Sequence, residues 1–495
     1  MRDELGSLTS LGAEMCRRAR GGGVHLIWRA QARTVRRVVV REGRTEETSS
    51  SSTSGHGAQV FTPDGRTALA SRDDFLPEAA LALLERATAL ARGASVLGAA
   101  KCPWPALAPL KARAVPASAA AFERLELSRV ARRLAELERE VAEQVPGVSL
   151  RISFQTDLDA WRILRSDDTD VSFAMPRCVL RLTATSTGRG ATHSVGAAIS
   201  GPDPGLPWDE PKVDLFLRRA SRAARLAREI TDAPAHPAGS FPIVIDYALA
   251  KGLAHEAFGH AAEADGFRSS ILATDGRFRA GQRVGPGHVS VIDEAIEDDH
   301  AWQPYSANGL RRERARIVDH GVLEDALSDP WTAGPGGMRV TGSARASSFA
   351  SAPLPRMSNI RIEVDDPLPV DGTFEDHGPQ EVLGLLTSAG VVRRHPRVVF
   401  LSGYSGGQVN VATGDFAFNC KAIYRLGRDG VRLYKPAIFA GSMFGALGAI
   451  REAFGPLLLD AIGTCGKWGQ SVPSSGGSHY FLFLEPDPTV RLGGE

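Results

Sequence analysis

Residues 241–266 read FPIVIDYALAKGLAHEAFGHAAEADG and carry the main motif of the chain. The first five residues of this stretch are apolar and predict a buried strand. The residues that follow predict a helix that carries His255, Glu256 and His260. These three form the pattern HExxxH, so the strand is expected to lead directly into a candidate metal-binding helix.

The HExxxH spacing is one residue longer than the HExxH of common zinc sites. Residues four apart in a regular α-helix diverge by roughly 40°, whereas residues five apart diverge by about 140°. His255 and His260 can therefore reach one ion only where the helix ends, breaks or widens into a π-turn. Gly259, immediately before the second histidine, would permit such a distortion.

The chemistry of these side chains suits zinc, because neutral imidazoles are good zinc donors. Glu256, beside the first histidine, is placed to act as general base on a zinc-bound water. The alternative is two ordinary histidines and a glutamate on a helix, since a short pattern of this kind also arises by chance.

A catalytic zinc site needs a third protein ligand and an open position. Cys465 is the best candidate, because the glycines of residues 463–473 allow close backbone approach and Lys467 would favour its thiolate. Glu263 and Asp265 are rival third ligands, although we expect them to orient or cap neighbouring groups. The alternative interpretation of Cys465 is a small buried cysteine in a Gly-rich turn that binds no metal. The remaining cysteines are expected to be structural: Cys16, Cys102, Cys178 and Cys420.

The composition narrows the possible partners. The chain has 495 residues and a formal net charge of +1, which argues against nucleic acid or an anionic membrane as a partner. No apolar run reaches the length of about 20 residues that spans a bilayer. The N-terminal residues do not resemble a signal peptide, and five scattered cysteines do not form a disulfide framework. We therefore expect a cytoplasmic protein.

The order of predicted elements favours an α+β fold with two domains. A mixed α/β domain is expected over residues 1–235, and a β-rich domain with the metal-binding helix over 236–495, because the Pro- and Gly-containing segment 233–239 interrupts both kinds of element. The Ser-rich run 48–54 predicts an exposed loop. Strands are predicted at 24–28, 38–40, 148–154, 179–185, 241–245, 397–401, 408–413 and 416–424, and helices at 77–91, 121–145 and 214–230.

Taken together, the motifs resemble the TldD/PmbA family of metallopeptidases, once called modulators of DNA gyrase. The resemblance runs from the strand and HExxxH helix through Leu354-Pro355-Arg356-Met357-Ser358-Asn359 and Gly406-Gly407-Gln408-Val409 to Cys465-Gly466-Lys467-Trp468-Gly469-Gln470-Ser471-Val472-Pro473. The N-terminal half resembles the family more loosely. Residues 292–300 and 345–352 depart from the pattern, and we expect both segments to affect substrate specificity.

The resemblance implies a zinc peptidase in which His255, His260 and Cys465 bind Zn²⁺ and Glu256 is the catalytic base. It also implies a homodimer, or a heterodimer with a related subunit, and substrates that are unfolded or small peptides undergoing maturation or degradation. We expect the peptide to pair with a strand edge near 406–408, although these glycines would equally suit a tight turn. The alternative function is a non-catalytic peptide-binding scaffold with a residual metal site. Three residues are candidates to stabilise the oxyanion: His479, Tyr404 and Arg356.

Overall fold

The computed structural model describes residues 8–93, 104–188, 191–334 and 338–493. Cys102 and the first seven residues lie outside this described part. The chain forms two large sheets with helices packed against them, which confirms the α+β prediction. The first sheet ends at Gly201 and the strands of the second begin at Ile243. The predicted domain limits, 1–235 and 236–495, fall between these sheets and remain a proposal.

The first sheet has seven strands in the order β3-β2-β1-β5-β6-β4, with β7 on β6. All its strand pairs are antiparallel except β4 with β6. Its strands are β1 (His25–Arg41), β2 (Arg44–Phe61), β3 (Thr67–Arg72), β4 (Lys111–Ala114), β5 (Ser149–Arg165), β6 (Asp170–Gly188) and β7 (Ala191–Gly201). The helices of this half are α1 (Thr9–Gly21), α2 (Pro77–Gly93), α3 (Leu127–Gln144) and α4 (Glu210–Ile230).

Alternation along the strands divides the first sheet into two faces. Leu26, Trp28 and Ala30 of β1 are buried in a core with α1 and α2. The intervening residues, such as Ile27, share a smaller core with Tyr305 from the second half of the chain. One face of the sheet is therefore covered by helices, whereas the other is turned toward the half that carries the HExxxH helix.

The Ser-rich run 48–54 is a strand, so the prediction of a loop was wrong. These residues belong to β2 and pair one-to-one with β1, for example Ser54 with Ala32. Their small polar side chains are exposed, and the ladder needs only their backbone groups. Residues 24–28 and 38–40, predicted as separate strands, lie mainly in the single strand β1.

The second sheet has thirteen strands and contains the main path β13-β12-β11-β16-β23-β8-β17-β18-β20-β24. Its strands are β8 (Ile243–Asp246), β11 (Val289–Glu294), β12 (Ala315–Asp319), β13 (Val322–Leu323), β16 (Asn359–Val364), β17 (Arg397–Asn410), β18 (Asp415–Gly427), β19 (Gly430–Tyr434), β20 (Ile438–Ser442), β21 (Ile450–Leu458), β22 (Gly463–Lys467), β23 (Gln470–Leu484) and β24 (Val490–Leu492). Two small hairpins complete the strands: β9 (Ala273–Thr274) with β10 (Arg277–Phe278), and β14 (Ala344–Arg345) with β15 (Leu354–Pro355).

The helices of the second half are short: α5 (Tyr247–Gly252), α6 (Pro330–Ala333), α7 (Pro379–Ser388), α8 (Val391–Arg394) and α9 (Met443–Ala449). β8 is fully buried between β23 and β17, as its apolar run predicted. It leads straight into α5, so the sheet fixes the start of the HExxxH segment. No helix in the described part of the chain is both long enough and apolar enough to cross a bilayer.

Candidate metal centre

The HExxxH segment contains the backbone irregularity that its spacing requires. Asp246 caps α5 by accepting a hydrogen bond from the backbone N–H of Leu249 at 2.9 Å. After α5, residues Leu253–Gly259 form a π-helical turn, and the backbone N–H of His260 bonds to the carbonyl of His255, five residues earlier. In a π-turn residues five apart lie on the same side. The two imidazoles consequently meet, with ring centroids 5.1 Å apart and planes perpendicular.

Glycine is required at two positions in this segment by close neighbours. A Cβ at Gly259 would lie 1.8 Å from Sδ of Met357, and one at Gly252 would lie 2.7 Å from the ring of Tyr404. The segment thus packs against Met357 and the start of β16 on one side and against β17 on the other.

Cys465 brings the third donor to the two histidines. It lies on β22, is buried, and its Sγ is 3.6 Å from Nε2 of His260. The donor atoms of His255, His260 and Cys465 all lie within 4.8 Å of one another. The structure therefore brings together the three residues that were predicted as metal ligands from segments about 200 residues apart in sequence.

The protonation of these groups follows from burial and neighbouring charge. Burial, together with the positive charge of Lys251, holds the pKa of His255 well below its usual value, so its imidazole is neutral. Burial alone would raise the pKa of Cys465, but the hydrogen bond and charge of His260 outweigh it and lower that pKa. Nδ1 of His255 is buried and has no hydrogen-bond partner in the described part of the chain. A neutral imidazole and a thiolate are the forms that bind metal ions, and His260, whose pKa burial would lower but Glu263 and Cys465 raise well above its usual value, must release its proton to bind.

Glu263 and Asp265 support the donors. Nδ1 of His260 lies 3.2 Å from Oε2 of Glu263, which leaves Nε2 directed toward Cys465. Nζ of Lys467 donates to Glu263 and to Asp265, each at 2.7 Å. The expected effect of Lys467 on the thiolate is therefore replaced by a contact with the two carboxylates. A carboxylate on the far nitrogen of a ligating histidine fixes its orientation and raises its basicity.

Glu256 faces the donors and is held by a tyrosine. Its Oε2 lies 3.8 Å from Nε2 of His260, and its Oε1 accepts a hydrogen bond from the hydroxyl of Tyr404 at 2.9 Å. The other two oxyanion candidates have different contacts. Arg356 donates to the backbone carbonyl of Cys465, and His479 bonds to backbone groups of Gly455 and Val364. Of the three candidates, only Tyr404 contacts Glu256.

Lys251 is a residue that the sequence analysis missed. Its side chain is buried, its Nζ donates to Oγ of Ser474 at 3.1 Å, and it lies 6.0 Å from the ring centroid of Tyr404. Burial lowers its pKa although Glu256 and Cys465 act in the opposite direction. The available signal was a single lysine in an apolar helix, four residues before His255 and so on the same helix face.

The glycines at 406 and 407 lie in a strand and do not form a tight turn. β17 pairs with β18 along its length, with a bulge between Tyr404 and Gly407, and pairs with β8 only over Val399–Leu401. From residue 402 to 410, the other edge of β17 has no strand partner within the described ranges. An open strand edge therefore begins beside Tyr404 and Glu256.

The two segments that depart from the expected pattern both approach the site. Asp299 bonds to Ser475 and, at 3.2 Å, to Asn359. Arg345 is buried and donates to the carbonyls of Met357 and Pro473, each at 2.6 Å. These contacts join the two segments to the strands around the candidate centre.

Two imidazoles, a thiolate and an adjacent carboxylate on an α+β scaffold have the composition of a metallopeptidase centre. Comparison with known families agrees: residues 238–457 match the PmbA/TldA metallopeptidase C-terminal domain, and residues 29–91 match the PmbA/TldA metallopeptidase domain 1. These matches cover more than half of the chain. The protein belongs to the PmbA/TldA (TldD/PmbA) metallopeptidase family, as the motif resemblance predicted, and is assigned to the hydrolases that act on peptide bonds.

Individual relatives support the same assignment. A metalloprotease of Methanothermobacter thermautotrophicus is 28% identical over 449 residues, which are 89% of this chain and 90% of the relative. A zinc metalloprotease TldD homolog of Saccharolobus solfataricus is 27% identical over 131 residues, 26% of this chain and 29% of the relative. The crystal structure of TldE from Thermococcus kodakarensis has the same fold, with a TM-score of 0.75 and 14% identity over 98% of this chain and 100% of that one.

Proposed function

We propose that this chain is a zinc-dependent peptidase that cleaves unfolded or small peptides, with His255, His260 and Cys465 as zinc ligands and Glu256 as general base. The observation that carries the proposal is the convergence of the three donor atoms within 4.8 Å. Zinc bonds to nitrogen and sulfur are about 2.0–2.3 Å long, so two donors on one ion lie at most about 4.4 Å apart. Small side-chain movements would bring this group into range.

The donor set favours zinc over other common metal ions. Two imidazoles and a thiolate are too soft a set for magnesium or calcium. The buried Nδ1 of His255, which has no hydrogen-bond partner among the described residues, and the lowered pKa of Cys465 fit a cation site. When bound, zinc would supply Lewis acidity toward the scissile carbonyl and the attacking water.

The protein's own groups would then move the proton. Glu256 would accept a proton from the attacking water and pass it to the leaving amine. Tyr404 would hold the Glu256 carboxylate in place through its 2.9 Å hydrogen bond. Because a thiolate ligand donates charge and weakens the Lewis acidity of zinc, we expect the reaction to depend strongly on this base.

The open edge of β17 is the proposed binding place for the substrate. A peptide that adds to the edge at 404–410 would pair through backbone groups and would lie beside Glu256. Backbone pairing tolerates many side chains, so peptides with scrambled sequences should still be cleaved. Complete loss of cleavage on scrambling would contradict this binding mode.

The test of the function compares Glu256→Gln with Glu140→Gln, a matched change at an exposed glutamate of helix α3. Elemental analysis should find about one zinc per chain in the wild type and in both variants, because Glu256 is proposed as a base and not as a ligand. Peptide cleavage should fall about 100-fold or more only in Glu256→Gln. Zinc binding without any cleavage by the wild type would favour the non-catalytic scaffold.

We also propose that the chain acts in the cytoplasm as a homodimer or as a heterodimer with a related subunit. The support is its membership of a family whose structurally known members include TldE. Light scattering on the purified chain, alone and after co-expression with a related subunit, would measure the mass of the assembly. A monomer under both conditions would contradict the proposal.

A further inference from the structure

A large basic cavity lies next to the candidate centre, on the face of the first sheet that helices do not cover. It has a volume of about 480 Å³, and its walls are strands β1, β5 and β6 on one side and the β22–β23 hairpin on the other. The hairpin is the element that carries Cys465. The cavity thus lies between the two halves of the chain.

The charge of the cavity wall is strongly positive, although the whole chain has a net charge of only +1. Alternate residues of the three strands point toward the cavity, and a single aspartate, Asp157, accompanies the arginines. The five arginines of the lining are Arg33, Arg37, Arg151, Arg177 and Arg181. Positive charge is therefore concentrated here.

Four of these five arginines have an acidic partner, since Arg177 lies 3.7 Å from the same Asp157 that Arg33 binds. Arg33 forms a two-pronged pair with Asp157 at 2.8 and 2.9 Å, while Arg151 pairs with Glu46 at 2.6 Å. Arg37 lies 3.6 Å from Glu47. Arg181 is exposed, and its guanidinium has no ion pair or hydrogen bond within the part of the chain that the structure describes.

A neutral histidine, His300, also lies at the cavity wall, close to two of these arginines. His300 lines the cavity, its Nδ1 is buried, and that atom has no hydrogen-bond partner among the described residues. Burial, followed by the charges of Arg177 and Arg181, lowers the pKa of His300 to about 3. Burial disfavours any charge at this histidine, and only the smaller contribution of the neighbouring cations indicates a positive field, which would attract an anion at the more open part of the cavity.

The buried Lys251 lies close to both the cavity and the candidate centre. A Cβ placed on Gly463, which lines the cavity, would be 3.1 Å from Nζ of Lys251. The same Nζ lies 6.0 Å from the ring centroid of Tyr404, at the open edge of β17. The open strand edge and the basic cavity are therefore both neighbours of the candidate centre.

We infer that the basic cavity is a substrate subsite that binds acidic residues of the peptide being cleaved. A volume of about 480 Å³ lies in the range of pockets for drug-sized ligands and exceeds the need of a single inorganic anion. The arginines are spread over three strands, and Arg181 has no acidic partner among the described residues, so the wall matches an extended acidic segment better than one compact charge. Arginine binds carboxylates in a two-pronged geometry, which adds specificity. This inference rests on the proposed peptidase function.

A binding experiment tests the subsite without relying on turnover. Glu256→Gln protein is titrated against a fluorescein-labelled peptide that contains two glutamates and against the same peptide with two glutamines, and affinity is read from fluorescence anisotropy. The acidic peptide should bind about tenfold more tightly, and rising salt should reduce this advantage.

Two variants that add negative charge to β6 test the subsite directly. Arg181→Glu and Thr183→Glu, each placed in the Glu256→Gln protein, should each weaken binding of the acidic peptide about tenfold. Both side chains lie on the cavity wall, and neither makes an ion pair in the described ranges. Arg428→Glu, in the exposed turn between β18 and β19, is the matched control and should leave the affinity unchanged. Melting temperatures show that each variant is folded.

The outcomes separate the subsite from the proposed function. Equal affinity for the two peptides, or an equal effect of Arg428→Glu and Arg181→Glu, would overturn the subsite even if wild-type protein cleaves both peptides. An acidic preference that is lost in both β6 variants would establish the subsite even if wild-type protein cleaves neither peptide, in which case only the peptidase proposal fails.

Discussion

Replacing Gly259 by alanine tests whether the π-turn depends on the close approach of β16. The new Cβ would lie 1.8 Å from Sδ of Met357 and 3.0 Å from Cδ1 of Ile360, and both side chains are fully buried. Alanine normally stabilises a helical position by about 0.4–1 kcal/mol relative to glycine. Overpacking a filled core costs about 1–3 kcal/mol. We expect the steric clash to outweigh the gain in helix stability, so that the free energy of unfolding falls by about 1–2 kcal/mol.

The measurement is the free energy of unfolding from urea denaturation, together with zinc content. Gly384→Ala is the matched control, because Gly384 lies within α7 and a Cβ there meets nothing within 4 Å. This control should be as stable as wild type or more so and should keep its zinc. Gly259→Ala should bind zinc more weakly, since any shift of the turn separates the two imidazoles.

A double-mutant cycle identifies the cause of the loss. In a Met357→Ala background, Gly259→Ala should cost much less, because the sulfur that it meets is absent. If Gly259→Ala instead stabilises the protein as Gly384→Ala does, and retains zinc, then the close packing of the π-turn against Met357 does not control the site.

Three further predictions concern the site and the first sheet. Tyr404→Phe removes the hydrogen bond to Glu256 and should lower kcat about tenfold with little change in zinc content, as steady-state kinetics and elemental analysis would show. Glu263→Gln weakens the support of His260 and should reduce zinc affinity about 10- to 100-fold in a chelator competition. Burial lowers the pKa of His25 to about 4, so the unfolded state binds a proton at this residue before the folded state does as the pH falls. The free energy of unfolding should therefore decrease between about pH 6.5 and 4. In urea denaturation at several pH values, His25→Phe should reduce this pH dependence.

Much of the fold could be predicted because its elements have strong periodic patterns. Helix α3 buries Val130, Leu134 and Leu137 at the three- and four-residue steps from which it was predicted. β8 is a short apolar run and is buried on both sides, between two other strands. Local pattern was sufficient in these cases because tertiary packing and sequence agree.

Two features could not be predicted from sequence patterns because they depend on how the strands pair. The serines of β2 have no apolar alternation, yet each of them lies opposite a residue of β1 in the antiparallel pair. The cavity could not be predicted from the sequence either, since its arginines come from β5 and β6 and from β1, which is far from both in sequence. Only strand register reveals that Arg33 lies opposite Asp159 and that Arg151 lies opposite Thr183.

The candidate ligands could be named from sequence, but their meeting depends on strand register. β23 pairs with β8 so that Phe481 lies opposite Asp246, the residue that caps the HExxxH helix. The same β23, followed back toward its beginning, pairs with β22 and places Val472 opposite Cys465. One strand therefore fixes both the start of the histidine-bearing segment and the position of the cysteine.

Asp246 extends this coupling to the proposed base. Besides capping the helix, its carboxylate accepts hydrogen bonds from the backbone N–H of Gly403 at 2.6 Å and from Oγ of Ser402 at 3.1 Å. The next residue along β17 is Tyr404, whose hydroxyl holds Glu256. A single buried carboxylate thus ties together the helix that carries the base and the strand that orients it. Because each of these contacts joins residues distant in sequence, the histidines, the cysteine and the base become a site only when the second sheet has formed.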